Sequence, residues 1–285
     1  MTSIAQKTEV LIQALPYIQR YEQKTFVIKY GGAAMIDDEL KQSFAQDVTL
    51  LKKIGINIVI VHGGGKEVTE LSNRLGIPST FIDGQRYTDD ATMDIVQMVL
   101  AGKTNKDIVA RINQHGGGAV GLSGIDADLL RVKKYSEGTA DLGWVGEVVS
   151  VNHEYINLQL RNGIMPVIAP IGVGEEGHSY NINADVAAAN IAAALQCEKL
   201  VYLSDVRGVM DGENLIATIM EEDALDLMEK KIINGGMIPK VRSAFAALQA
   251  GVNKVHMIDG RVSHSLLLEI FTDEGVGTEL VHTKR

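Results

Sequence analysis

Short apolar runs alternate with longer segments of helical periodicity along this chain. Residues 25–29, 57–62, 119–123, 165–169, 199–204 and 254–258 form runs rich in Val, Ile and Leu that are mostly unbroken. Such runs predict strands covered on both faces, as in a parallel sheet. Residues 38–54, 66–75, 90–115, 183–196, 221–230, 236–251 and 265–271 repeat their apolar positions at helical spacing and predict helices that cover those strands. The alternation predicts an α/β fold, an αβα sandwich around a mainly parallel central sheet. Residues 128–150, richer in Gly and polar residues, alternate instead and predict an antiparallel ribbon. The seam between the two strand and helix series lies at residues 162–170. It divides the chain into an N-terminal lobe, 23–170, and a C-terminal lobe, 171–285, that share one sheet.

The first 22 residues stand apart. Val10, Leu11, Ala14, Leu15, Ile18 and Tyr21 fall near one helical face. Pro16 sits inside that pattern, where it removes a backbone hydrogen bond and kinks the chain. Residues 1–22 therefore predict a bent, apolar-faced helix outside the core, packed either on its own subunit or on another.

Charge and composition narrow the function classes. The 285 residues carry 27 Lys+Arg against 36 Asp+Glu, a net charge of -9. That balance offers nucleic acid no basic surface and is repelled by an anionic membrane. The longest apolar stretch, residues 186–195, falls well short of the roughly 20 residues a membrane-spanning helix needs. Lys7 and Glu9 precede any apolar run, so no secretory signal is predicted. Cys197 is the single cysteine and has no intrachain partner, which fits a reducing compartment. The expectation is a cytoplasmic protein with neither nucleic acid nor membrane as a partner.

Two glycine clusters follow predicted strands: Lys29-Tyr30-Gly31-Gly32 and His62-Gly63-Gly64-Gly65. They stand just beyond strand carboxyl ends, where open α/β sheets bind ligands. Missing side chains let backbone N–H groups approach an anion, and a following helix N-terminus adds positive potential. Gly65-Lys66 is not a Walker loop, because Ile60 stands where the upstream glycine belongs and Glu67 follows the lysine. Residues Gly172-Val173-Gly174-Glu175-Glu176-Gly177 match a dinucleotide spacing, but no helix is predicted after them and two glutamates would face the pyrophosphate. They are read as a glycine-rich turn.

In Asn181-Ile182-Asn183-Ala184-Asp185, Asn183 suits a helix cap and Asp185 complements the helix dipole. Gly235-Gly236-Met237-Ile238-Pro239-Lys240 puts a lysine in a helix's first turn, where a cation opposes the dipole and an anion nearby would explain it. Leu203-Ser204-Asp205 closes another strand with a polar loop suited to a nucleotide. His62 reads as a core histidine, Cys197 as an inert buried thiol, and Met93 and Met98 as core or subunit-contact filler.

These segments, together with Asp83-Gly84-Gln85-Arg86-Tyr87-Thr88, resemble the amino acid kinase family in order along nearly the whole chain. Within it they resemble the branch that acts on N-acetyl-L-glutamate. The resemblance implies ATP-dependent phosphorylation of a side-chain carboxylate, with the acyl amino acid site and dimerisation in the N-terminal lobe and ATP in the C-terminal lobe. Lys29 and Lys240 would neutralise the phosphoryl group in flight, beside Mg²⁺ carried as MgATP, and Asp185 would orient both lysines. Gly64, Gly65, Arg86, Asn181 and Asn183 would hold the substrate. Gly31, Gly32, Ser204, Asp205, Gly235 and Gly236 would serve the phosphates and nucleotide, and no protein ligand to the metal is implied. A carboxylate nucleophile needs no general base, so an obligatory histidine is not expected. Ala33, Lys66 and Ile125 depart from the family's common residues at their positions.

The N-terminal segment ending at Tyr21 and the tail from His264 to Thr278 resemble the arginine-inhibited branch. That branch forms hexamers, trimers of dimers, by interlacing N-terminal helices. The resemblance implies feedback inhibition by arginine bound between the helix and the C-terminal lobe, at Tyr21, Lys199, His264 and Gly277. A PII signalling protein, which some relatives in photosynthetic organisms bind, is a further partner to test. Competing readings are a family member acting on glutamate, aspartate, carbamate or a nucleoside monophosphate, a non-catalytic arginine sensor, and a dinucleotide-dependent oxidoreductase. Arg86 with Asn181 fits an acylated amino acid better than the first, intact Lys29, Asp185 and Lys240 argue against the second, and the third rests only on the glycine-rich turn.

Overall fold

The computed structural model describes residues 4–82, 84–136, 140–272 and 275–282. Residues 1–3 of the N-terminal segment, the side chain of Val10, Asp83, and residues 273–274 of the tail lie outside the described set. The first half of the chain runs α1 Ile4–Tyr21, β1 Thr25–Tyr30, α2 Asp38–Lys53, β2 Asn57–His62, α3 Gly65–Arg74, β3 Phe81–Ile82, β4 Gln85–Arg86, α4 Asp90–Gln97, α5 Asn105–Gln114, β5 Ala119–Ser123, β6 Leu130–Lys134, β7 Gly146–Val151, α6 His153–Arg161 and β8 Met165–Ala169. The second half adds β9 Ile171–Val173, β10 Ser179–Asn181, α7 Ala184–Ala194, β11 Lys199–Ser204, the short β12 Met210–Asp211, β13 Asn214–Leu215 and β14 Thr218–Met220, α8 Glu221–Glu229, α9 Met237–Gln249, β15 Lys254–Asp259, α10 Ser265–Phe271 and β16 Thr278–Val281.

All six predicted apolar runs become strands of one sheet, ordered β14-β16-β15-β11-β1-β2-β8-β5. Its pairs are parallel except β15 with β16. From β1 the chain builds outward to β2, and later to β11 on the other side. The crevice above β1 and β11 is thus the topological switch point at which such sheets bind ligands. Register places Lys29 beside Tyr202, and Tyr30 beside His62, along this carboxyl edge.

The sandwich is packed on both faces. On one face, Val27, Val59, Leu200 and Tyr202 pack with Ala187, Ala188 and Ile191 of α7, and with Val241 and Ala244 of α9. The alanine-rich α7 has little side-chain bulk, so its backbone lies close to the sheet. Phe26, Ile28, Ile58 and Val201 point to the other face, against Phe44, Val48 and Leu51 of α2. The 128–150 segment forms the expected antiparallel pair β6–β7, which joins β9 and β10 in a second sheet. Residues 175–177 form a 3-10 turn with no helix after it, as read from the sequence.

Two local features differ from, or refine, the periodicity. The predicted 90–115 helix is broken by a π-helical segment at Met98–Thr104. A π turn holds one residue more than an α turn, and the register beyond it buries Asn105 completely. In α1, Pro16 lies inside the helix, and the two ends behave differently. Tyr17 meets Phe271 edge-on at 6.4 Å and Tyr21 meets Phe26 at 5.2 Å, fixing the carboxyl end to its own chain. Leu11 and Ile12 nearer the start are 72% and 64% exposed. No helix among the described residues is long and apolar enough to cross a membrane.

Candidate active site

Lys29, Asp185 and Lys240, separated by more than 200 residues of chain, meet at the switch point. Lys29 projects from the end of β1, Asp185 from the first turn of α7, and Lys240 from the first turn of α9. Asp185 Oδ1 lies 3.1 Å from Lys29 Nζ, and Lys240 Nζ donates to Asp185 Oδ2 at 2.5 Å. Asn183 caps α7, its Oδ1 accepting the N–H groups of Asp185 at 2.9 Å and Val186 at 3.3 Å. Burial alone would raise the Asp185 pKa, but the charges of Lys29 and Lys240 and their hydrogen bonds outweigh it and hold the carboxyl below its ordinary value. It therefore stays ionised and fixes two ammonium groups side by side. The unfavourable place of Lys240 in the helix dipole is thereby explained: Asp185 is the anion that balances it.

Glycines give these lysines and any anion room. A Cβ on Gly31 would stand 2.6 Å from Lys29 Nζ. Gly64, the N-cap of α3, has φ +152, and a Cβ there would overlap the Leu100 side chain. Beside it a cavity of about 190 Å³ is lined by Gly63, Gly64, Gly65, Arg86, Asn181 and Asn183, among others. Drug-sized pockets run to about 300–1,000 Å³, so this one suits a small metabolite. Arg86 donates to Gly65 O at 2.8 Å, Thr69 Oγ1 at 2.8 Å and Ser79 Oγ at 2.6 Å, and its guanidinium lies 4.7 Å from the Phe81 ring centre. These contacts orient the fork and tie the β3–β4 hairpin over the glycine turn. Asn181 donates to Thr88 Oγ1 at 3.2 Å.

On the other side of β1, Ser204 ends β11, and the Asp205 carboxylate accepts the Ala33 N–H. Gly32 has φ +69, and a Cβ there would collide with that carboxylate. Asp205 thus clasps the first glycine turn. Gly235, at φ +52, and Gly236, the N-cap of α9, meet nothing within 4 Å of where a Cβ would stand, leaving the approach to Lys240 open. Two cations fixed by one carboxylate, between two glycine turns and an arginine-lined cavity, can position and neutralise anionic groups during transfer.

A second polar cluster lies at the opposite edge of the sheet, near the carboxyl end of α1. Lys199 Nζ sits 5.1 Å from the Tyr21 ring centre, and both residues are buried. His256 Nδ1 bonds Glu269 Oε1 at 2.5 Å, and Glu269 Oε2 accepts the Val276 N–H at 2.8 Å. Burial lowers Lys199 to about 8, against the opposing charge of Glu269. Tyr21 and Lys199 are therefore in contact, and the loop before Gly277 reaches Glu269 through the Val276 N–H. His264 is not with them. It caps the far end of α10, 49% of its side chain exposed, and its Nδ1 bonds Asp47 Oδ1 at 2.5 Å. The histidine in the cluster is His256, with Glu269 as its partner, and sequence reasoning missed both. The signal available was one glutamate inside the apolar run 266–271.

Known proteins share both the sequence and the fold of this chain. The Amino acid kinase family matches residues 24–259. A protein of Chlorobaculum tepidum named acetylglutamate kinase is 58% identical over 273 residues, covering 96% of this chain and 95% of its own length. One of the same name from Aquifex aeolicus is 53% identical, covering 98% of this chain and 99% of its own. Among solved structures, N-acetylglutamate synthase of Neisseria gonorrhoeae, complexed with coenzyme A and N-acetyl-glutamate, superposes with a TM-score of 0.88 at 26% identity. It covers all of this chain, which spans 65% of that longer protein. Carbamate kinase of Giardia lamblia bound to AMP-PNP shares the fold, with a TM-score of 0.68 at 17% identity over 91% of this chain.

Proposed function

This chain belongs to the amino acid kinase family, and we propose that it transfers the γ-phosphoryl group of ATP to the side-chain carboxylate of N-acetyl-L-glutamate, giving N-acetyl-L-glutamyl 5-phosphate for arginine biosynthesis. The observation that carries the reading is the Lys29–Asp185–Lys240 bridge at the switch point. Phosphoryl transfer is chiefly positioning and charge stabilisation. The substrate carboxylate binds in the Arg86 cavity as an anion that attacks directly, without a base. Lys29 neutralises its side of the transferred group, Lys240 the leaving side, and Asp185 keeps both ammonium groups aimed. Gly31, Gly32, Gly64 and Gly65 offer N–H groups to the phosphoryl oxygens, and Ser204, Asp205, Gly235 and Gly236 border the nucleotide. Among the described residues, no group of three or more His, Cys, Asp or Glu side chains is placed to hold a metal ion. Asp185 is already neutralised by two lysines. A divalent ion would arrive on the ATP phosphates, as MgATP.

Acyl-phosphate formation, trapped as hydroxamate, tests the reaction. Product is expected from N-acetyl-L-glutamate and at least tenfold less from glutamate, whose free ammonium would meet the Arg86 side of the cavity. Equal turnover of the two, or none of either, would defeat the reading.

The second cluster supports a regulatory reading: arginine as inhibitor, its carboxylate on Lys199 and its guanidinium on Glu269, against Tyr21. The exposed Leu11, Ile12 and Leu15 of α1 support packing on a second subunit, hence a hexamer of three dimers joined through these helices. PII docking stays a partner to be tested by co-purification. Inhibition is expected to weaken as pH rises through about 8, the value at which burial lets Lys199 lose its proton. The arginine carboxylate favours the protonated lysine, so affinity is full below that pH and falls up to about tenfold per unit above it. Half-inhibition concentrations at pH 7, 8 and 9 check this, and a flat or rising affinity would refute it.

A further inference from the structure

His62 and Asn105 take no part in the mechanism above, yet they form one buried network beneath the second glycine turn. His62 ends β2 and is fully buried. Its Nδ1 lies 2.7 Å from Gly63 O, and its Nε2 lies 3.2 Å from Asn105 Nδ2. A carbonyl only accepts, so Nδ1 carries the hydrogen. The amide nitrogen only donates, so Nε2 presents a lone pair. The orientation of the Asn105 amide is itself fixed from several sides. Nδ2 also faces Val167 O at 2.9 Å and Leu122 O at 3.3 Å, while Oδ1 receives Lys106 Nζ at 3.1 Å. The tautomer of His62 is therefore set by strands β5 and β8.

Two further features make room for this arrangement. Gly121 of β5 is needed because a Cβ there would overlap Asn105 Oδ1 and crowd Lys106 Nζ. The π segment ends one residue before Asn105, and its Thr104 and Leu100 side chains stand against the place a Cβ on Gly64 would take. The network and the π segment thus brace the same turn from two directions. Burial lowers His62 to about 4, against the raising effect of the Gly63 bond, so the ring is neutral.

In a trans peptide the C=O and the next N–H point in opposite directions. Holding the Gly63 carbonyl on His62 therefore turns the Gly64 N–H away from the ring, and Gly64 itself lines the cavity shared with Arg86 and Asn181. We propose that His62 and Asn105 are positioning residues, a clamp on the Gly63–Gly64 peptide plane that aims the Gly64 N–H at the reacting carboxylate and phosphoryl oxygens. This rests on the phosphoryl-transfer reading of the cavity. The clamp acts on chemistry and leaves the nucleotide side untouched.

Three measurements on the full chain test it. His62→Leu is expected to lower kcat about 10- to 100-fold, the cost of misplacing one reacting-centre group by about 1 Å, with KM for ATP within twofold of wild type. His62→Asn, whose amide sets a donor near the Nδ1 place, is expected to recover at least a third of the lost rate on a logarithmic scale. A His62→Leu kcat within threefold of wild type, or a loss that His62→Asn does not ease, overturns the clamp. Neutron diffraction on the wild-type protein decides even if the variants do not fold: deuterium on Nδ1 and none on Nε2 is expected, and the other tautomer or a cation overturns it. Wild-type protein that forms no acyl phosphate would defeat the proposed reaction instead, and the deuterium positions would still judge the clamp.

Discussion

Lys240→Met is expected to lose about 10³-fold in kcat while KM for N-acetyl-L-glutamate stays within about threefold. Cationic groups aimed at a phosphoryl group in flight are worth about 10³–10⁵ in rate, and 10³-fold corresponds to about 4 kcal/mol of transition-state stabilisation. Lys240 lies toward the lower figure because Lys29 remains. The methionine keeps most of the unbranched stem, so α9 and the contacts of its apolar face persist. The acyl amino acid cavity is lined by Gly64, Gly65, Arg86 and Asn181 and does not include Lys240. A kcat loss below tenfold in the hydroxamate assay, or a loss expressed mainly in KM for the acyl amino acid, would show that Lys240 does not act on the transferred group.

Asp185→Asn is expected to lower kcat about 100-fold and to destabilise the fold by about 3 kcal/mol. Removing one partner of a largely buried ion pair costs about 3–5 kcal/mol, because the remaining charge stays desolvated. Lys240 is partly solvated, at 24% side-chain exposure, which places the cost at the lower end. The sign with pH follows from the lowered pKa of Asp185. A carboxyl that is more acidic folded than unfolded adds stability above its ordinary value of 3.8, and that stability is lost as pH falls below it through the folded value. Urea unfolding should therefore show a wild-type advantage that is full at pH 5–7 and shrinks below about pH 4. The variant also leaves two uncompensated cations, so sulfate should bind it more tightly than wild type. An advantage that persists unchanged at pH 3, or unaltered sulfate affinity, would mean that the charge of Asp185 does not hold the lysines.

How much of this was legible in the sequence depends on the range of the interaction concerned. The runs 57–62, 119–123, 165–169 and 199–204 are strands with those same bounds, because a strand buried on both faces must be apolar throughout. Asn183 reads as a cap and proves to be one, since capping joins residues two and three apart. The glycine turns were visible because strand, glycines and helix follow one another directly. The pairing of His256 with Glu269 was not, since the strand end, a turn and most of α10 intervene, and the family resemblance points to His264 instead. Nor was Asn105: within a helical pattern nothing distinguishes a π turn, whose cause is what the side chains pack against.

By itself, then, the sequence determined six of the eight strands of the main sheet, most of the helices that cover it and the glycine turns at its carboxyl edge, because periodicity and turn chemistry act over a few residues. The family resemblance already implies that Asp185 serves both lysines, but only the tertiary structure decided the geometry of that bridge, that Asp205 clasps the first glycine turn, and which histidine faces Lys199. Those contacts join positions tens to hundreds of residues apart, and their geometry follows from how sheet and helices pack rather than from any local preference.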